Sequence, residues 1–192
     1  VNDEERGLTK QRNIGISLAQ KTSDIICFLD DDVVLEEDYF RQLIEPFHSD
    51  NQVIGVGGYI TNEVVWHLLG NDQKKKKGSG YFEIDGWYRK MPLRFKMRSL
   101  LGLKPNVNPG FMPEYGHGYS ISFLPPSGKV YETEMIMGGV SAFRKTLFSQ
   151  IKFSEYFEGY GLYEDADFSL RASKLGKLLV NTAARLSHHH AP

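Results

Sequence analysis

"CFLDDDVVLEED" occupies Cys27 to Asp38. It follows the apolar start of "DIICFL", Asp24 to Leu29, which breaks off into Asp30, Asp31 and Asp32 before apolar residues resume. A short run of this kind suits a strand buried on both faces. In α/β sheets with parallel strands, ligands bind beyond the carboxyl ends of the strands, and the three aspartates fall at such an end. Alternate residues of an extended chain point the same way, so Asp30 and Asp32 face one site while Asp31 turns aside. Two carboxylates about 4 Å apart repel by about 4 kcal/mol at an effective dielectric of 20. A divalent cation between them removes that penalty, and oxygen ligands of this type suit Mg²⁺ or Mn²⁺. The competing reading is a solvated turn followed by the N-terminus of the next helix.

Outward from this stretch the pattern alternates. Thr9 to Lys21 predicts a helix with Ile14, Ile16 and Leu18 on its apolar faces. Glu36 to Phe47 predicts a second, with Tyr39, Phe40, Leu43, Ile44 and Phe47 spaced by three and four and an acidic first turn. Gln52 to Thr61 reads as a strand interrupted by Gly55, Gly57 and Gly58. Helix, strand, helix, strand points to an α/β domain with a parallel sheet. Further on, strands are expected at Tyr119–Leu124, Lys129–Met137 and Leu178–Asn181. A short helix is expected from about Arg144, and another from about Tyr163 to Leu175, closed by Gly176.

The bulk properties bound the function. The 192 residues suit one domain, and a net charge of −1 gives no electrostatic argument for nucleic acid. Cys27 is the only cysteine, so no internal disulfide is possible and a reducing, cytoplasmic location fits. No apolar run reaches the ~18 residues of a membrane span. Residues from about 66 to 118 exceed what a connection needs and read as an insertion. Within it, "GWYRKMPLRFKMRSLLGLK" (Gly86–Lys104) is basic and apolar together, a mix suited to peripheral contact with an anionic membrane surface or to a partly exposed packing helix. The first apolar strand arrives only at Asp24, behind a polar lead, so one or two βα units are expected to be missing from the front.

Asp-x-Asp at a strand end occurs in two enzyme classes, haloacid-dehalogenase-like phosphatases and nucleotide-sugar transferases. A second acidic cluster, Glu164, Asp165 and Asp167, falls in the first turn of a predicted helix. It serves either as helix-end charge complementation or as a carboxylate offered from the helix N-terminus. Asp167 and Arg171 are also spaced for an ordinary i,i+4 ion pair.

Taken in order, five segments resemble family 2 glycosyltransferases, the inverting enzymes of the GT-A fold. They are "GLTKQRNIGISLA" with Arg12, Asn13 and Gly15; "DIICFLDDDVVLEEDYF" with Asp30 and Asp32; "MIMGGVSAFRKTLFSQI" with Gly138, Gly139, Phe143 and Arg144; "FEGYGLYEDADFSLRASKLGK" with Glu164, Asp165 and Arg171; and "NTAARLSHHH" with His188. The resemblance implies a GT-A-like mixed sheet flanked by helices, lacking the N-terminal strand that binds the nucleotide base. It implies a metal-dependent transferase that moves a sugar from a nucleotide-diphosphate donor to a saccharide or lipid-linked acceptor hydroxyl, with inversion, in polysaccharide or glycolipid synthesis. No Gln-x-x-Arg-Trp motif is present, which implies a non-processive enzyme. By the same resemblance Asp32 is the direct Mg²⁺ or Mn²⁺ ligand, joined by Asp30 and His188. Asp30, Arg12 and Asn13 serve the nucleotide, Asp165 is the general base, and Glu164 orients the acceptor or the base. Two alternatives stay open: a metal-binding but catalytically incomplete fragment, and a phosphatase, for which the expected lone Lys and Gly-Asp-x-x-x-Asp loop are missing. The run His188–His190 also has the look of an appended tag.

Overall fold

The protein is described by a computed structural model covering residues 7–19, 21–70, 80–114, 117–157 and 162–189. Its helices are α1 (Leu8–Leu18), α2 (Tyr39–Ser49), α3 (Leu93–Leu100) and α4 (Glu164–Ala172). Its strands are β1 (Ile25–Leu29), β2 (Val33–Leu35), β3 (Val53–Ile60), β4 (His67–Leu68), β5 (Tyr81–Ile84), β6 (Trp87–Lys90), β7 (Val130–Thr133), β8 (Val140–Arg144) and β9 (Lys177–His188).

The main sheet runs β1-β8-β3-β9-β2, with β7 also paired to β9. Among the described residues, only β3 and β9 pair in parallel. The pairs β1–β8, β3–β8, β2–β9 and β7–β9 are antiparallel. The sheet is therefore mixed, which corrects the parallel sheet that alternation alone suggests. The decisive strand is β8, inserted between β1 and β3 from far along the chain. Local pattern cannot anticipate such a long-range pairing.

Packing follows from alternation along the strands. In "VSAFR", Val140 and Ala142 join the α2 side with Tyr39, Leu43, Phe47, Val53 and Val56. Phe143 joins the other side with Leu147, Phe148, Phe153, Phe168 and Leu178. The β3 glycines are positions of close approach. A Cβ on Gly55 would lie 2.7 Å from Leu178 Cδ2, and one on Gly58 would lie 2.6 Å from the Tyr39 hydroxyl.

Several local expectations are corrected. Residues 140–144 are a strand, and the turn after them, Lys145–Ser149, is 3₁₀ rather than α-helical. Tyr119–Leu124 holds a 3₁₀ turn at Ile121–Phe123 in place of a strand. The closing strand β9 is twelve residues long and runs through to His188. Strands β4, β5 and β6 form a separate three-stranded sheet in the order β4-β6-β5, followed by α3. This part packs through Phe82, Met91 and Phe95 onto Tyr119 and Phe123 as a separate apolar cluster.

Candidate functional site

Two strand registers assemble the acidic end of the sheet. Leu29 faces Val140 across β1–β8, which sets Asp30 opposite Gly139, and the Asp30 amide donates to the Gly139 carbonyl at 2.9 Å. Val33 faces His188 across β2–β9, and the His189 amide donates to the Asp32 carbonyl at 2.8 Å. The result brings together Asp30, Asp32 and His188, with one ligand atom from each within 4.8 Å of the others. Asp31 is exposed. His188 is thus the last residue of a core strand with a defined register, not part of a loose tail. His190 lies outside the described residues.

His188 is tightly specified. Its amide donates to Asn62 Oδ1 at 2.9 Å, and Asn62 Nδ2 donates back to its carbonyl at 2.7 Å. Its Nδ1 meets Glu63 Oε1 at 2.9 Å, and its Nε2 lies 3.0 Å from Asp32 Oδ1. The hydrogen bond to Glu63, assisted by the charge of Asp32, holds the His188 pKa above its ordinary value. In the neutral ring with its proton on Nδ1 toward Glu63, the Nε2 lone pair faces Asp32 Oδ1, a buried oxygen without a hydrogen-bond partner. Two acceptors face one another, an arrangement stabilised by a proton on Nε2 or by a cation between them. Two carboxylates and an oriented imidazole therefore fit a divalent metal. Sequence reasoning missed Asn62 and Glu63, which sit in "TNEVV" with no motif around them. Only the end of β3 lying beside β9 reveals them.

The adjacent glycines of "MGGV" are the hinge of the site. A Cβ on Gly139 would fall 1.8 Å from Asp30 Oδ2, so only glycine leaves room for that carboxylate. A Cβ on Gly138 would fall 2.6 Å from Arg12 Nη1. Arg12 is buried, not solvated. Its Nη1 donates to Glu164 Oε1 at 2.7 Å, with the two side chains 8% and 9% exposed, and its guanidinium stands over the Phe28 and Phe153 rings at 5.9 and 5.2 Å. Asn13 is bound both ways to the Phe153 backbone, at 2.9 and 3.1 Å. Both α1 side chains are therefore engaged within the protein.

Glu164 opens α4, after Tyr163 in a left-handed conformation (φ 70°). Asp165 follows, half-buried, with Oδ1 accepting from the Ala166 amide at 2.8 Å. It lines a hollow with Ser120, Ile121, Ile136 and Met137. Ile121 and Met137 also line an adjoining hollow that contains Glu63. Asp167 makes the ordinary helix pair with Arg171, at 2.6 Å. Asp30 touches Gly139, Gly138 touches Arg12, Arg12 holds Glu164, and Asp165 follows it. The two acidic clusters are thus at one end of the molecule, on either side of the "GG" turn.

A segment of 64 residues is 31% identical to the glucosyl-dolichyl phosphate glucuronosyltransferase of Haloferax volcanii, covering 33% of this chain and 20% of that protein. The chain thus matches about a fifth of the length of that relative. The crystal structure of GalNAc-T7 with UDP, GalNAc and Mn²⁺ superposes with a TM-score of 0.59 at 18% identity, over 98% of this chain and 31% of that one. This likeness shows the fold, which is GT-A-like. The model of the family "Glycosyl transferase family 2" matches residues 1–112, more than half of the 192 residues, and the chain belongs to that family.

Proposed function

We propose that the domain serves transfer of a sugar from a nucleoside-diphosphate donor to an acceptor hydroxyl, with inversion and one sugar per encounter. The observation that carries this reading is the pair of acidic walls around the "GG" turn, Asp30, Asp32 and His188 on one side and Asp165 on the other. A Mg²⁺ or Mn²⁺ ion held by Asp32, Asp30 and His188 would supply a Lewis acid for the charge that grows on the departing diphosphate. Glu63 keeps the His188 ring turned so that Nε2 faces Asp32, and Asn62 fixes its backbone. Asp165 takes the acceptor proton on Oδ2, since Oδ1 is held by the Ala166 amide. Arg12 and Asn13 act on the nucleotide side by positioning: Arg12 pins Glu164, and with it the first turn of α4, while Asn13 pins α1 to the Phe153 backbone. Family membership removes the phosphatase alternative.

The archaeal relative is named for a dolichyl-phosphate-linked glucose. We carry over a saccharide or lipid-linked saccharide as acceptor, polysaccharide or glycolipid synthesis as the setting, and the cytoplasmic face of a membrane as the place. A second reading, a metal-binding stretch that needs more chain for donor binding, is favoured by one feature. Among the described residues β1 pairs only with β8, leaving its outer edge open beside Asp30. Binding of UDP, GDP and dTDP in Mn²⁺ by this chain and by an N-terminally extended one separates the two.

The decisive experiment uses the full-length protein and a panel of nucleotide sugars. Asp32→Ala should abolish metal-dependent transfer. Asp165→Asn should leave donor binding nearly intact while transfer falls by about 10²–10⁴-fold. Transfer that survives Asp165→Asn removes Asp165 as the base.

A further inference from the structure

Helix α3 turns one buried residue inward. Phe95 packs on Tyr119 and Phe123, with ring centroids 5.1 and 5.0 Å away. The opposite face is apolar and open. Leu93, Met97 and Leu100 fall at i, i+4 and i+7, Leu101 continues the stripe, and they are 73%, 51%, 80% and 68% exposed. At about 100° per residue they span an arc of about 100° opposite Phe95. Arg94 borders this arc on one edge and Lys96 on the other, with Arg98 behind Arg94. From Gly86 to Lys104 the sequence carries Arg89, Lys90, Arg94, Lys96, Arg98 and Lys104 and no Asp or Glu.

Single exposed leucines are ordinary, but a contiguous stripe of them marks a binding surface. Charge indicates what binds. The cations bordering the stripe have no acidic neighbour in the segment, although the chain as a whole is close to neutral, so the surface complements a uniformly negative plane. No helix among the described residues is long and apolar enough to cross a membrane. An apolar stripe bordered by Lys and Arg lies flat at a lipid interface.

We propose that α3 and the residues through Lys104 dock on an anionic lipid surface, with Leu93, Met97, Leu100 and Leu101 entering the acyl boundary and Arg94, Lys96, Arg98 and Lys104 meeting lipid phosphates. Phe95 rests on Tyr119 and Phe123, and Ser120 and Ile121 of the same turn line the hollow that holds Asp165. Docking therefore sets that hollow one packed layer from the lipid, within reach of a lipid-linked acceptor hydroxyl. This consequence rests on the transfer reaction proposed above, but the docking does not.

The test is co-sedimentation with phosphatidylcholine vesicles, with and without phosphatidylserine, without donor or metal. Binding should require phosphatidylserine and weaken with salt. Leu100→Ser/Leu101→Ser should lower the partition coefficient about tenfold or more, and Arg94→Gln/Lys96→Gln about 30-fold. Circular dichroism of both variants should match the parent, because the replaced side chains are outside the core. Asp32→Ala should bind vesicles as the parent does, so failure of docking and failure of the transfer reading are told apart. The proposal is overturned if the parent shows no preference for phosphatidylserine, or if the variants bind like the parent. It is overturned equally if sedimentation velocity shows a dimer that Leu100→Ser/Leu101→Ser dissolves, since the stripe then belongs to a second copy.

Discussion

Gly139→Ala is the most discriminating perturbation of the metal site. The added Cβ would sit 1.8 Å from Asp30 Oδ2 and 2.1 Å from Cγ, whereas real Cβ contacts essentially never fall below 3.0 Å. The carboxylate must therefore retreat by about 1.2 Å or more, from 3.0 − 1.8. Metal–oxygen distances tolerate about 0.2 Å, so Asp30 is lost from the cluster while Asp32 and His188 stay. Mn²⁺ affinity should fall about 10–100-fold, the scale of losing a well-placed partner at a metal site. Stability without metal should stay within about 1 kcal/mol. Gly139 has no left-handed backbone, and what moves is an exposed carboxylate, while the added methyl restricts the unfolded chain. The neighbouring Gly138→Ala provides the contrast. Its Cβ would meet the Arg12 guanidinium at 2.6–3.0 Å, so the guanidinium must shift by about 0.4 Å, from 3.0 − 2.6, which strains its 2.7 Å bond to Glu164. Straining a buried pair costs less than removing one partner, which costs about 3–5 kcal/mol; a loss of about 1–2 kcal/mol would lower Tm by about 2–8 °C at about 2–4 °C per kcal/mol for a domain of this size. Titration calorimetry with Mn²⁺ and thermal unfolding in EDTA read the two effects separately. Unchanged metal affinity in Gly139→Ala, or equal loss of Tm in both variants, would refute the division of labour between the two glycines.

Arg12→Met should destabilise by about 3–5 kcal/mol by leaving the Glu164 charge buried without its partner. Arg12→Met/Glu164→Leu should recover most of that loss in urea unfolding; a double variant as unstable as the sum of the singles would argue against the pairing. The raised pKa of His188 sets a sign for pH. In the metal-free protein the protonated ring stabilises the fold below the unfolded-state pKa, and that contribution fades as pH rises through the folded-state value. A metal competes with the same proton, so Mn²⁺ affinity should rise through that pH window. Glu63→Gln removes the main cause of the shift, so an NMR titration of His188 should move its midpoint to lower pH. A midpoint that stays put would remove Glu63 from this role.

Much of the site was legible in the chain because its chemistry is local. An apolar run ending in "DDD" fixes both the strand and the turn of Asp30 and Asp32 away from Asp31, since side chains alternate in extended chain. The spacing of Tyr39, Leu43 and Phe47 fixes α2, and the acidic first turn fixes the start of α4. The five ordered segments fixed the family. What only the tertiary structure decided depends on pairings between residues far apart in the chain. Periodicity could not place β8 between β1 and β3 or extend β9 to His188. It could not bring Glu63 to the imidazole, a separation of 125 residues, or turn Arg12 inward to Glu164 across 152. Gly138 and Gly139 entered the sequence reading only as part of a family-like segment, yet their two missing side chains are the spaces filled by Arg12 and Asp30. Composition and spacing specify which groups a chain carries, but which of them share one volume is set by register and packing, and those are properties of the folded whole.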